Sequence, residues 1–450
     1  MKKENIWLKR IGYGAGDFGC NFVFATMASY LMYFYTDVFG ISAIAVGTML
    51  FSTRFIDAIT DTLMGLIVDR TKTRWGSGRP YFVIGAPFFA LFTTLTFYVP
   101  SFGPTGKIIY AYVTYIMLCT AYTVVNIPLN TIVPRLTSDF HERNMLVASR
   151  MICALLGTAV VMGITQPLVE FLGNGSYKRG YFITMTIYGL IAMFIFFFTF
   201  SQTEEVVPPS VKREKTSVIE DFKGLNGQSW LFFVVNILYF GLFVVRNSSV
   251  VYYFNYNLDH KDWLTFVGFF GILSGLPILI FLPRLQKTYT QKHLSFFCCG
   301  LYIVGALLAL LSHNFIIQLI SLALTGLGMY GIFGVTFSMQ PDVIDYSEYY
   351  KNRSIPGMLA AGQGFFVKFG MGLCAFIVGA IMQNAGYIPD VKQTEQSLKA
   401  IEFCYVWFPI ILCVLIIATM SMYKLDSIRA DMTEVLAKRR KQMQLIDEQG

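Results

Sequence analysis

Charged side chains are scarce in this chain. Lys, Arg, Asp and Glu make up 14% of its 450 residues, against about 25% in an average soluble domain. Histidine is scarcer, at four residues, and no His-rich zinc pattern is present. There is no Gly-rich lysine loop of the kind that cradles ATP phosphates, so ATP is not expected to drive the protein directly. No serine-nucleophile elbow appears. The start, MKKENIWLKR, has no small-residue cleavage site after its first apolar run, which is expected to be a retained span. The eight cysteines all fall in apolar stretches without metal-ligand spacing, and Cys298 and Cys299 are adjacent, so all eight are expected to stay reduced. These absences exclude a soluble globular enzyme, a disordered chain and a secreted disulfide scaffold. The net charge of +8 is spread over many loops and speaks for membrane topology, with no nucleic-acid partner.

What the chain has instead is apolar mass. Hydrophobic residues make up 55%, with 42 Phe and 26 Tyr, and mean hydropathy is +0.56. A bilayer core needs about 20 apolar residues per helix. Stretches of that length run near 12–36, 43–68, 80–100, 108–134, 146–171, 180–200, 230–255, 263–283, 294–312, 315–338, 357–385 and 401–423. The expected fold is an all-α polytopic membrane protein, twelve transmembrane helices in two six-helix bundles. The bundles are expected over 1–200 and 230–423, joined by a cytoplasmic loop over 201–229 and followed by a tail over 424–450. The halves read as a parallel two-fold repeat in hydropathy. With both termini cytoplasmic, inner segments carry about 25 Lys and Arg against six outside: Lys107, Lys178, Arg179, Lys261, Lys392 and Lys399. A signalling domain has no room in the loop and tail.

Charges inside spans are costly and need a partner or a task. The second stretch, STRFIDAITDTLMG, holds Arg54, Asp57 and Asp61 at offsets that share one helical face. Two carboxylates beside one guanidinium lack one positive charge. A sodium ion, a hydronium or a bound proton would complete the set, with Thr60 and Thr123 adding oxygens. A self-satisfied cluster that only ties helices together is the plainer alternative. Lys368, in AAGQGFFVKFGMG, is expected near mid-depth, facing Asp57 and Asp61. Asp17 suits a cytoplasmic network or a cavity, Arg150 an interface, and Arg246 the cavity or the outer mouth.

Spans one and four carry polar groups at helical spacing: Asn21 in one, and Tyr122, Thr123, Asn126, Pro128 and Asn130 in the other. Asparagine offers a sugar hydroxyl both a donor and an acceptor, and an aromatic ring packs on the apolar face of a pyranose. Interhelical hydrogen bonding is the alternative use. The loop GLIVDRTKTRWGSGRP places Asp69, Arg70 and Arg79 as a cytoplasmic charge latch. The segment QPDVIDYSEYYKNR offers Asp342, Asp345 and Glu348 to close an inner gate against Arg135, Arg143 or Arg284.

The G-x3-D-R pattern from Gly65 to Arg70, in a two-halved chain of this kind, resembles the major facilitator superfamily. The strings YLMYFYTDVFG, DAITDTLMG, TRWGSGRP, NIPLNTIVP and DVIDYSEY resemble the glycoside–pentoside–hexuronide:cation symporters, the family of melibiose permease and the glucuronide permeases. The resemblance runs from about residue 10 to residue 425 and is densest in the N-terminal half. It implies a secondary symporter rather than an enzyme, in a bacterial inner or plasma membrane. It implies no cofactor beyond a coupling H⁺ or Na⁺, and a monomer in the bilayer with a small-molecule sugar as substrate. It gives the cation role to Asp57 and Asp61, with Thr123 as a further ligand, and aligns Arg54, Tyr122 and Lys368 with family positions. Where melibiose permease has aspartates in spans one and four, this chain has Asn21 and Asn126. Its tryptophan is Asn130 here, and its asparagine between the paired acids is Thr60. Removing two carboxylates removes repulsion of an anionic sugar, so a glucuronide or other hexuronide is expected. A neutral pentoside or β-glycoside such as a xyloside is the alternative, and an uncoupled facilitator the remote one. Losing an amide oxygen at Thr60 tilts the expectation to H⁺ over Na⁺.

Overall fold

A computed structural model describes residues 6–137, 140–205, 225–260, 263–311, 314–351, 356–389, 391–428, 431–432 and 434–435. Much of the expected middle loop and tail lies outside these residues. Backbone polar groups in lipid have to be satisfied within the segment, and the described residues answer with helices. In chain order these are α1 (Ile6–Tyr33), α2 (Ala43–Arg70), α3 (Pro80–Thr96), α4 (Pro104–Thr131), α5 (Val133–Leu136), α6 (Phe140–Gly173), α7 (Tyr177–Gln202) and α8 (Gly227–Tyr252). There follow α9 (Leu264–Leu273), α10 (Leu276–Thr288), α11 (Gln291–Leu311), α12 (Phe315–Lys351), α13 (Pro356–Asn384), α14 (Glu395–Glu402) and α15 (Phe408–Ser421).

Each expected apolar stretch carries helix. Among the described residues, nine helices are long and apolar enough to cross a membrane. The other stretches hold α1, the 17-residue α3, and the pair α9 and α10. That pair is one expected span broken at Ser274-Gly275, where Pro277 in the first turn of α10 cannot donate to a preceding turn. Pro87, Pro128, Pro167 and Pro341 lie inside helices.

The chain forms two compact units that are not contiguous in sequence. The first comprises Met1–Lys212, Asn247–Ile272 and Ala375–Glu402. There α1 packs on α6 and α7, α3 on α4 and α7, and α2 on α4. Its core joins Tyr13, Cys20, Phe82, Phe89, Val125 and Phe196. The second comprises Arg213–Arg246, Leu273–Cys374 and Phe403–Gly450, with α11 packed on α12 and α15. All eight cysteines are free thiols, seven of them buried.

The two-fold repeat read from hydropathy has a backbone counterpart inside the first unit. π-Helical segments follow α1 at Phe34–Val38 and α8 at Tyr253–Asn257. Phe39 N–H donates to Phe34 O (2.8 Å) and Ile41 N–H to Tyr35 O (2.9 Å). In the second copy, Leu258 N–H donates to Tyr253 O (3.1 Å) and His260 N–H to Phe254 O (3.0 Å). The residue after each turn has positive φ, +83° at Gly40 and +58° at Asp259. Every pair of equivalents is separated by 219 positions, the interval between Asp37 and Tyr256.

Close helix approach in the second unit depends on missing side chains. A Cβ on Gly328 of α12 would lie 2.6 Å from Cys298 O and 2.7 Å from Tyr302 N on α11. Both neighbours are backbone and cannot turn aside. Gly328→Val is expected to destabilise the protein by ~1–3 kcal/mol, the usual cost of overpacking, and a lowered thermal midpoint of the purified protein would show it.

Candidate cation and sugar site

The face of α2 that carries both carboxylates is turned to α4, and α4 supplies a neutral partner to Arg54 and one to Asp61. Arg54 Nη1 lies 2.9 Å from Asp57 Oδ2, and its Nη2 donates to the Tyr115 hydroxyl at 2.8 Å. The Thr123 hydroxyl donates to Asp61 Oδ1 at 2.7 Å. Thr60 turns its hydroxyl onto its own helix, donating to Asp57 O at 3.1 Å. Asp57 is 3% exposed. One seam therefore holds two carboxylates, one guanidinium and three hydroxyls. Among the described residues no group of three or more His, Cys, Asp or Glu gathers for a metal. The donor set beside the guanidinium is all oxygen, which suits a hard cation or a proton better than a soft metal ion.

The polar face of α1 and α4 resolves into two clusters. Asn130 Nδ2 donates to Asn126 Oδ1 at 2.8 Å, and Asn126 Nδ2 reaches Cys20 Sγ of α1 at 3.6 Å. Tyr122 has Phe24 at 6.0 Å and Phe89 at 6.3 Å between ring centroids. Asn21 donates to Asp17 O at 2.8 Å and accepts from Thr158 at 3.3 Å. Asn130 stays exposed, and Asn21, Tyr122 and Asn126 half-buried. Asp17 is buried and paired with Arg150 of α6, Oδ2 to Nε 3.1 Å. Its charge is thus engaged in holding α1 to α6. In the second unit, Lys368 is half-buried on α13. Arg246 there is 7% exposed, its guanidinium 4.1 Å from the centre of the Tyr405 ring.

Two of the residues expected to gate have a partner in their own unit. Arg135 Nη1 lies 3.5 Å from Glu205 Oε2 in the first. Tyr423 donates to Asp342 Oδ2 at 3.4 Å in the second, where Asp345 and Glu348 are half-buried on α12. Arg70 ends α2 exposed, where a cation suits the helix dipole. The side chains of Asp69 and Arg143 lie outside the described residues. Arg284 is exposed, over the Phe281 ring at 5.8 Å.

Residues 12–427 match the family model described as MFS/sugar transport protein. The chain belongs to that family. It is 34% identical over 434 residues to the isoprimeverose transporter of Lactiplantibacillus pentosus, covering 95% of this chain and 90% of the relative. It is 27% identical over 417 residues to the glucuronide carrier protein homolog of Escherichia coli (strain K12), covering 89% of each. The crystal structure of a D-xylose-proton symporter shares the fold, with TM-score 0.69 and 14% identity over 93% of this chain and 98% of that one. The protein is therefore a multi-pass membrane sugar transporter of the major facilitator fold.

Two partners of this transporter's site were not foreseen from sequence. Tyr115 holds Arg54 from α4, and nothing in the apolar string around it marks it out. Glu205 seats its carboxylate on the turn before α3. It accepts from the backbone N–H groups of Ser77 (3.0 Å), Gly78 (2.8 Å) and Arg79 (3.2 Å). Gly76 has φ +105°, and a Cβ there would lie 2.4 Å from the Glu205 carboxyl carbon. The signal was the run Gly76-Ser77-Gly78, whose bare N–H groups form an anion cradle. Glu205→Ala would leave three donors and Arg135 facing an empty cradle, and a loss of ~2–3 kcal/mol is expected. Glu205→Gln, which keeps an acceptor oxygen, should lose less, and thermal midpoints of the two variants would rank them.

Proposed function

We propose that this protein is a cation-coupled symporter that carries a neutral, xylose-type glycoside by alternating access, with both termini cytoplasmic. The observation that carries the proposal is the oxygen-only seam of Asp57, Asp61 and Thr123 beside a face of asparagines. In this reading the cation, H⁺ or Na⁺, binds at Asp57 and Asp61 with Thr123. Thr60 contributes a further oxygen. Arg54, held between Asp57 and Tyr115, keeps the Asp57 carboxyl group aimed. Asn21, Asn126 and Asn130 exchange hydrogen bonds with sugar hydroxyls, and Tyr122 gives an apolar face to the ring. Lys368 is read as a further sugar donor. Asp69, Arg70, Arg135, Asp342, Asp345 and Glu348 serve the cytoplasmic gate.

The neutral substrate is favoured over a hexuronide for an electrostatic reason. A buried sugar carboxylate needs a cation. In the first unit Arg54 and Arg150 are already bound by Asp57 and Asp17. Similarity also tilts this way, since the relative named an isoprimeverose transporter is 34% identical and the glucuronide carrier homolog 27%. The hexuronide reading retains one support: Asn21 and Asn126 repel no anion.

Uptake of labelled isoprimeverose and of a labelled glucuronide into proteoliposomes, with pH and sodium gradients imposed separately, decides both questions. Isoprimeverose accumulation driven by one gradient is expected. Accumulation of the glucuronide alone would replace the neutral reading, and uptake insensitive to either gradient would remove coupling.

If Asp57 and Asp61 hold the cation, Asp57→Asn and Asp61→Asn should each abolish uphill accumulation while sugar exchange down its own gradient persists. Full gradient-driven accumulation in both variants would take them out of the cation site.

A further inference from the structure

Asp37 is 7% exposed in the π-helical segment that ends the first span. Three hydroxyl-bearing residues converge on its carboxyl group. Tyr387 donates to Oδ1 at 2.5 Å, Tyr256 donates to the same oxygen, and Thr36 donates to Oδ2 at 2.5 Å. The Tyr252 hydroxyl lies 2.9 Å from Thr36 Oγ1. Thr36 has one hydroxyl proton, and when it goes to Asp37 the contact with Tyr252 needs Tyr252 as donor. The chain Tyr252 to Thr36 to Asp37 is then continuous. The rings interlock edge to face: Tyr252 and Tyr387 are 5.6 Å apart at 88°, and Tyr256 and Tyr387 5.7 Å apart at 81°. All these residues belong to the first unit, yet they come from three separate stretches of chain.

Their positions in the repeat are the second observation. Asp37 and Tyr256 are repeat equivalents and bind each other. Tyr33 and Tyr252 are also equivalents, and their rings lie 5.7 Å apart. Residues that touch their own equivalents lie on a local two-fold axis. At this end of the first unit a carboxyl group thus meets a phenol donor on its own repeat equivalent. π-Helical turns are frequent at functional sites, and here they place both partners.

We propose that Asp37, Thr36, Tyr252, Tyr256 and Tyr387 form a latch that shuts one mouth of the transport path, at the end opposite the 71–79 loop, and must part each time that mouth opens. The proposal rests on the alternating-access reading. Asp37 is a positioning residue: it touches neither sugar nor coupling cation and sets how often the mouth is open. Buried when the latch is shut, its carboxyl group is held by hydroxyl donors that water replaces when the latch parts. The exchange of like for like is what lets such a contact be reversible.

Spin labels on Ser42→Cys and Ile388→Cys, both exposed at this end, would report the opening by double electron–electron resonance. None of the eight native cysteines is exposed, so they compete little for label. Tyr256→Phe and Tyr387→Phe each remove one hydroxyl and keep the ring. Each is expected to raise the open-to-closed ratio about tenfold, equivalent to ~1.4 kcal/mol. Asp37→Asn should do at least as much. Tyr110→Phe removes a phenol that donates to Leu95 O at 2.8 Å, outside the latch, and should change nothing. A rise of about threefold or more in both latch variants, absent in Tyr110→Phe, supports the latch, and a smaller change in either overturns it. Should Asp37→Asn fail to fold, the two phenylalanine variants decide alone. The distance readout needs no sugar, so failed glycoside uptake would count against the proposed substrate and leave this test intact.

Discussion

A carboxyl group inside an apolar helix bundle has to be answered by donors or by a cation, and the described part of the first unit is organised around four such answers. Asp57 is met by Arg54 and Asp17 by Arg150. Asp61 receives the Thr123 hydroxyl. Asp37 receives Thr36, Tyr256 and Tyr387. Each answer comes from a different helix or a distant stretch, except Arg54 and Thr36. The carboxylates therefore fix which helices meet: α2 with α4, α1 with α6, and the first π-turn with the second. Removing one partner of such a set strands a buried charge, at about 3–5 kcal/mol, so these contacts specify the packing more sharply than the surrounding aliphatic surface does.

The answers differ in kind, and the difference separates structure from transport. An aspartate with its own arginine, such as Asp17, is neutral as a pair and gains little from a further ion. A carboxyl group answered by a hydroxyl gains a dipole and no compensating net charge. Asp61 with Thr123 and Asp37 with its phenols are of that second kind as regards these contacts. Hydroxyl oxygens can also turn from donating to a carboxylate to ligating a cation beside it, which an arginine cannot do. A seam meant to take up and release an ion is thus better lined by threonine than by a second arginine.

The sequence carried the charges and their spacing, and the structure supplied the partners. Asp57 and Asp61 were legible because a period near 3.6 places them on one face whatever surrounds the helix. Asn126 and Asn130 were legible for the same reason. Tyr115, Tyr256 and Tyr387 were not, because a tyrosine in an aromatic-rich apolar run looks like a lipid-facing or packing residue until its hydroxyl finds a target. Glu205 and the turn it sits on are 128 residues apart, beyond any periodicity. Helix existence followed from hydropathy, and the break at Ser274-Gly275 did not, since apolar content runs straight through it. The π-turns also escaped, because one extra residue in a turn leaves the hydropathy of the stretch unchanged.

The repeat shows how a near-symmetric backbone produces an asymmetric contact. Both π-turns have the same hydrogen bonds and the same positive-φ residue, Gly40 in one and Asp259 in the other. On a two-fold axis, each position faces its own equivalent. Identical side chains there would be poor partners: two aspartates would repel in a medium of low dielectric constant, and two phenols would offer a weaker, neutral pair. Asp37 opposite Tyr256 resolves this, with an acceptor on one copy and a donor on the other. Tyr387, from a third stretch of chain, then doubles the donation to the same oxygen. Backbone symmetry brings the two positions together, and the difference between the two residues makes their meeting favourable.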